Sequence, residues 1–163
     1  MNDKIYNQVI QQTKESYGES FKSDLFEQYK LYINSVEKVT DRRNSANNYL
    51  LTVNSLLLTA YSFLLNTHIK NNWTFIVSIA GVLVSLTWIR IIISYRNMNE
   101  MKFSIIHEIE EHLPAGLYKS EWLLREEGRG KTYHPMTRLE IWIPTIFIIL
   151  YIIIAIVEGF GFF

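Results

Sequence analysis

Residues 37–59 read EKVTDRRNSANNYLLTVNSLLLT, and within this run the chain changes from charged to apolar. Charged residues end at Arg43, small and amide residues follow, and from Tyr49 to Leu65 the sequence is almost continuously apolar. A helix that leaves an aqueous compartment and enters a bilayer has this pattern. The run therefore predicts a first membrane-spanning helix.

Two further apolar runs, residues 73–94 and 141–157, are long enough to cross a membrane. The chain has 163 residues, which leaves no room for a second large core beside three spans. These features predict an all-α membrane protein with three transmembrane helices. No secretory signal is recognisable before the first span, so we expect that span to be retained as an anchor.

The first two spans are predicted to continue as helices into water. No Gly or Pro interrupts Asp24–Leu65, so one helix of about 60 Å is expected at about 1.5 Å per residue. Asp24 followed by Glu27 resembles a capping box at its start. An apolar stripe also continues beyond the second span through Met98 and Met101. Pairing of the two stripes would extend the first two helices into a cytosolic helical hairpin stalk.

The predicted organisation can be stated as segments in chain order. These are a loosely ordered tail at 1–23, a cytosolic helix at 24–47, spans at 48–66, 73–94 and 141–158, an outer turn at 67–72, a cytosolic helix and loop region at 95–140, and an outer tail at 159–163.

Basic residues predict the orientation. Of the 16 Lys and Arg residues, seven lie in residues 1–47, seven in 95–140, one in 66–72 and none after Val157. Cytosolic loops of membrane proteins carry an excess of Lys and Arg. The N-terminus is therefore predicted in the cytosol and the C-terminus outside.

Small polar residues recur along the first span at steps of three and four. They place one face of small side chains between leucines: Thr52, Ser55, Thr59, Ser62 and Asn66. A shorter set of the same kind, Ser78, Gly81 and Ser85, lies on the second span. In lipid, small residues allow close helix packing. The first set is interpreted either as a helix-packing surface or as the lining of a wet lumen, and the third span, which lacks such a set, is expected to lie outermost.

Arg90 is the charged residue predicted to lie within the second span. A guanidinium at that depth costs a few kcal/mol unless it reaches the headgroups or is paired. Snorkelling, pairing with Asn54 or Glu140, and exposure to a lumen are the alternatives.

Signals for chemistry are weak. His107 and His112 are five residues apart, whereas two zinc ligands on one helix face are four apart, so a hydrated helix face is the preferred interpretation. No nucleophile or phosphate-loop motif is recognisable, and the net charge of zero does not favour nucleic acid. We expect no enzyme activity, catalytic residue, metal or cofactor.

Several stretches resemble the RipA-like family of small bacterial octameric inner-membrane proteins. The resemblance is carried by residues 37–52, by Trp88 with Ser94–Asn99, by Lys102-Phe and Ile106–Glu110, by Leu113-Pro, by Tyr118 with Glu121-Trp, and by Leu139-Glu with Ile143-Pro. It implies a homo-octameric ring in the bacterial inner membrane with a cytosolic domain. It supplies no catalytic residues.

Three functions are compatible with these features. The first is a non-enzymatic ring acting as a scaffold or pore, with the bilayer and further copies of itself as partners. The second is a membrane-perturbing effector of a defence or toxin system, gated through the cytosolic ring. The third is a membrane-anchored binding module, in which an aromatic stalk face of Phe26, Tyr29 and Tyr32 binds a cytosolic protein.

Overall fold

The computed structural model describes residues 9–66, 73–124 and 136–159, with the side chains of Asn66, Trp73 and Met136 excepted. The predicted outer turn at 67–72, the loop at 125–135 and the end of the tail at 160–163 lie outside these ranges. So do the first eight residues of the predicted N-terminal tail.

The described residues form helices and contain no strand. In chain order the helices are α1 (Lys14–Tyr17), α2 (Phe21–Asn66), α3 (Trp73–Glu110), α4 (Leu117–Leu124) and α5 (Met136–Gly159). The all-helical fold class is thus confirmed. The helix expected over Asp24–Leu65 is present without a break as part of α2.

The chain divides into two compact units. One, here called the charged unit, comprises residues 1–41 and 96–135, and the other, the apolar unit, comprises 42–95 and 136–163. Helices α2, α3 and α5 each contain an 18-residue segment apolar enough to cross a membrane, with at most two charged residues. In α2 such a segment can begin only at Arg42 or later, because earlier windows contain more charges. The membrane-crossing part of α2 therefore lies in the apolar unit.

In the charged unit, α2 and α3 run antiparallel. Tyr29 bonds Glu110 while Ser35, further along α2, bonds the earlier residue Lys102. The buried apolar residues are Leu25, Val36 and Val39 of α2 and Ile106 and Ile109 of α3.

One residue of the predicted α3 stripe does not lie on the buried face. Met101 is 62% exposed, whereas Ile106 is fully buried. Lys102, Ile106 and Ile109 occupy one side of the helix and face α2, so Met101 is turned about 100° away from them.

The core of the apolar unit is built from all three long helices. Leu50, Trp88 and Ile92 form its buried centre. The Trp88 indole N–H donates to the side-chain oxygen of Asn47 over 2.8 Å, which satisfies the polar end of the ring. Partly buried residues packed around this centre are Val84, Ile91, Ile141 and Phe147.

One predicted helix boundary is wrong, and another helix extends beyond its predicted span. Asp24 is not an N-cap, because α2 already begins at Phe21 and the Asp24 amide donates to the Ser20 carbonyl over 2.9 Å. Its carboxylate lies in the first turn, where it is favoured by the helix dipole. Helix α5 begins at Met136, five residues before the third predicted span, so Pro144 lies inside the helix. A proline inside a membrane helix is tolerated where neighbouring groups satisfy the freed carbonyl.

Candidate functional site

The small polar residues of α2 form an exposed stripe in the apolar unit. Thr52, Ser55, Thr59 and Ser62 are all exposed. Each hydroxyl donates to the carbonyl four residues earlier in the same helix, over 2.9, 2.9, 2.9 and 3.0 Å respectively. We call these four residues the hydroxyl stripe. Asn66 belongs to α2, but its side chain is outside the described set.

These internal bonds determine what the hydroxyl stripe can contact. Every hydroxyl already donates its proton to a carbonyl of its own helix. The stripe therefore needs no hydrogen-bond acceptor on a neighbouring helix to be tolerated in lipid. The hydroxyl oxygens still present lone pairs on a face with small side chains. Such a face suits close packing of another helix or contact with water.

Another side of the same helix carries a buried polar cluster. Asn54 is fully buried; its amide N–H donates to the Leu50 carbonyl over 2.9 Å, and its side-chain oxygen accepts from Ser85 over 3.0 Å. The Tyr151 hydroxyl donates to the Asn54 backbone carbonyl over 3.0 Å. Asn54, Ser85 and Tyr151, here called the polar core cluster, therefore connect α2, α3 and α5.

The small residues of α3 lie on this buried side. Ser78 and Ser85 are 1% and 0% exposed. A Cβ added at Gly81 would overlap the ring of Tyr151, so the absence of a side chain at Gly81 is what admits the phenol. The third span, although it has no small-residue set of its own, uses Tyr151 to fill the one on α3.

An ion pair joins α2 and α5 near the charged end of the apolar unit. Arg43 donates through Nε to Glu140 over 2.9 Å, pairs with it again through a second guanidinium nitrogen, and reaches the Thr137 hydroxyl over 3.1 Å. The two side chains are 13% and 21% exposed. Both guanidinium nitrogens meet the same carboxylate oxygen, Oε2 of Glu140, so the pair is charge-assisted and has two donors on one acceptor.

The charged unit has its own polar centre at Glu110. This carboxylate is 3% exposed and accepts from the Tyr29 hydroxyl (2.8 Å), the Tyr118 amide (3.0 Å) and the Lys119 amide (2.9 Å). It caps the first turn of α4, where free amides and the helix dipole favour an anion. Burial, together with the bond to Glu110, raises the pKa of Tyr29, so the phenol keeps the proton that it donates.

The predicted hydrated helix face around His107 is therefore wrong for two of its members. Glu108 and Glu110 are 5% and 3% exposed. Sequence reasoning treated them as surface residues because a run of Glu and His is usually solvated; the local sequence contains no sign of the three donors that reach Glu110. No cluster of three or more His, Asp and Glu suitable for a metal occurs among the residues described.

The comparison with known families agrees with the fold. The sequence profile of the octameric membrane protein family, 8xMP, matches residues 26–160. The chain belongs to this family. The resemblance to RipA-like octameric membrane proteins is thereby confirmed, and the chain is a membrane protein whose family name indicates assembly into octamers. No curated protein and no solved structure matches the chain.

In this 8xMP protein, Arg90 is exposed. The two partners considered for it are engaged elsewhere within the protomer, since Asn54 accepts from Ser85 and Glu140 pairs with Arg43. For this exposed guanidinium, snorkelling to the headgroups and exposure to a lumen stay predictions.

The aromatic residues proposed as a stalk face are not brought together on one free surface of the 8xMP chain. Phe26 is 49% exposed and carries the Lys30 ammonium 5.1 Å from its ring centre. Tyr29 is bonded to Glu110, and the Tyr32 ring lies 4.7 Å from the Lys102 ammonium. Two of the three rings therefore contact α3 of the same protomer.

Proposed function

We propose that this protein assembles in the bacterial inner membrane as a non-enzymatic ring, with its N-terminus in the cytosol, that acts as a scaffold or a pore. The observation that carries the proposal is the position of the hydroxyl stripe. Within one span, Asn54 faces the other helices of the protomer, whereas Thr52, Ser55, Thr59 and Ser62 face outward.

An outward row of small hydroxyl residues favours contact with something other than lipid chains. From Thr52 to Ser62 it advances by ten residue steps, or about 15 Å at about 1.5 Å per residue, which is half of a hydrocarbon core of about 30 Å. Lipid chains gain nothing from hydroxyls, whereas neighbouring helices pack closely against small residues and water bonds their oxygens. In a ring, both favoured surroundings exist: the adjacent copy and the central axis.

Leucine substitution distinguishes the two roles. Ser55→Leu with Thr59→Leu fills the hydroxyl stripe, and Ala60→Leu adds similar bulk at an exposed position outside it. The mass of the detergent-solubilised assembly reports packing between copies, and ion flux in proteoliposomes reports a lumen. A scaffold stripe predicts loss of the octamer in the double variant only, and a pore stripe predicts an intact octamer with reduced flux.

Cysteine labelling gives an independent reading, because the natural chain contains no cysteine. A single Thr59→Cys variant should react with a water-soluble, membrane-impermeant thiol reagent if the stripe lines a lumen. It should be protected if the stripe packs against the next copy. A matched Phe63→Cys variant, exposed on the same helix, serves as the control.

Unchanged mass and unchanged flux in the Ser55→Leu, Thr59→Leu double variant would refute both roles of the hydroxyl stripe.

A further inference from the structure

The short helix α4 is held firmly on α3 by one side. The Tyr118 ring lies 5.8 Å from the Phe103 ring, centre to centre, and Glu110 accepts from the amides of Tyr118 and Lys119. The Lys119 ammonium also donates to Glu111 over 2.7 Å, and this bond raises the pKa of Lys119. These contacts fix which side of α4 faces Phe103 and Glu110.

Four large apolar side chains of α4 are exposed. Leu117 and Leu124 are 70% and 85% exposed, and Leu123 and Trp122 are 57% and 43% exposed. Leu117 and Leu124 are seven residues apart and so lie on the same side of the helix, two turns from each other. They cannot turn inward without breaking the bonds to Glu110. Leu123 lies on the same side of α4, within about 120° of Leu117, whereas Trp122 lies between Tyr118 and Lys119 around the helix. We call Leu117, Leu123 and Leu124 the α4 face.

Lipid is a poor candidate to cover the α4 face. Helix α4 has eight residues and is not among the helices long and apolar enough to cross a membrane. Helices that lie on anionic membranes carry many Lys and Arg residues on their polar side. Within α4 the basic residue is Lys119, which is paired with Glu111, and Glu121 balances its charge.

A second copy of this chain fits better. We propose that the α4 face is a subunit contact and binds the charged unit of the adjacent copy, an inference that rests on the ring proposed above. Membership of an octameric family means that identical chains meet, and tethering in one membrane raises their effective concentration. The buried centre of an interface between identical chains is mostly apolar, as the leucines of the α4 face are.

Ring closure adds a condition. In a cyclic assembly each copy presents one surface to the next and a different surface to the previous one. The α4 face is one such surface, and it needs no matching copy of itself. Two other exposed aliphatic side chains of the charged unit, Leu31 on α2 and Met101 on α3, are 71% and 62% exposed and lie on different helices.

The test uses the full-length chain in detergent. Leu117→Gln with Leu124→Gln should convert the octamer of the unmodified chain into smaller assemblies, whereas Trp122→Gln, exposed on the other side of the same helix, should leave it unchanged. Retention of α-helix by circular dichroism separates loss of assembly from unfolding. An octamer that survives the double substitution would overturn the α4 contact while leaving the ring intact.

A photo-crosslinker at position 124 tests the identity of the partner without removing the other leucines. Illumination in membranes should yield a product of twice the chain mass that contains only this protein. Adducts with lipid, or with another protein alone, would overturn the proposal. If the unmodified chain itself proves monomeric in membranes and in detergent, the ring fails, and the α4 contact fails with it.

Discussion

Two sets of small residues, one on α2 and one on α3, have similar spacing but differ in burial. Thr52, Ser55, Thr59 and Ser62 of α2 are exposed, whereas Ser78, Gly81 and Ser85 of α3 are buried. The difference arises from a third helix, because Tyr151 of α5 fills the space above Gly81 and bonds the Asn54 carbonyl. Spacing thus identifies a face, but a bulky partner of the right shape determines whether that face is used within the protomer.

The largest effect is expected at Gly81. Gly81→Ala should lower the free energy of unfolding by about 2–3 kcal/mol, because the added methyl group overlaps the Tyr151 ring and overpacking costs about 1–3 kcal/mol. The measurement is the thermal or denaturant midpoint in detergent. In a Tyr151→Ala background the same substitution should cost much less; additive losses would show that the ring is not the obstacle.

A substitution at Asn54 compares the buried polar core cluster with the exposed hydroxyl stripe of α2. Asn54→Leu keeps the approximate volume but removes the acceptor for Ser85, and should cost about 1–2 kcal/mol, since interhelical hydrogen bonds in membranes contribute about 0.6–1.7 kcal/mol. The neighbouring substitution Ser55→Ala, on the exposed face, should be close to neutral. If both variants lost the same free energy of unfolding, the buried side of α2 and the hydroxyl stripe would not differ in their contribution to stability.

Tyr151→Phe should have a smaller effect. It keeps the ring above Gly81 and removes only the hydroxyl that donates to the Asn54 carbonyl. A single neutral hydrogen bond contributes about 0.5–1.5 kcal/mol. Unfolding midpoints of Tyr151→Phe and Tyr151→Leu in one detergent would separate the stability contributed by the hydrogen bond from that contributed by packing of the ring. A loss as large as that of Tyr151→Leu would assign the whole contribution to the hydroxyl.

The smallest effect on the protomer is expected at Thr59. Thr59→Val removes a hydroxyl that bonds only its own helix, so stability should change by no more than about 0.5 kcal/mol. If the stripe serves the ring, assembly or flux should change although the unfolding midpoint does not. A destabilisation comparable to that of Asn54→Leu would mean that the stripe is packed within the protomer after all.

Much of the helical architecture could be predicted from local sequence. The absence of Gly and Pro from Asp24 to Leu65 predicted an unbroken α2, and three apolar runs predicted the three candidate membrane helices, because both signals depend on the chain itself. Boundaries were less accurate. Helix α2 begins at Phe21 rather than after Asp24, and α5 begins at Met136, five residues before the apolar run at 141.

Polar residues were the hardest to assign. Asn54 interrupts an apolar run, which could have marked it as buried and bonded, because an amide facing lipid is costly. Glu110 carried no such sign: its donors come from Tyr29 and from α4, and only folding brings them together.

The amino-acid sequence by itself determined that the chain is helical, that three segments suit a bilayer, and to which family it belongs, because composition and periodicity act locally. Tertiary structure alone decided which side of each helix packs and forms hydrogen bonds within the protomer. A side chain such as Tyr151 selects between two similar small-residue sets by shape, and shape complementarity between distant segments is not written in the spacing of either one.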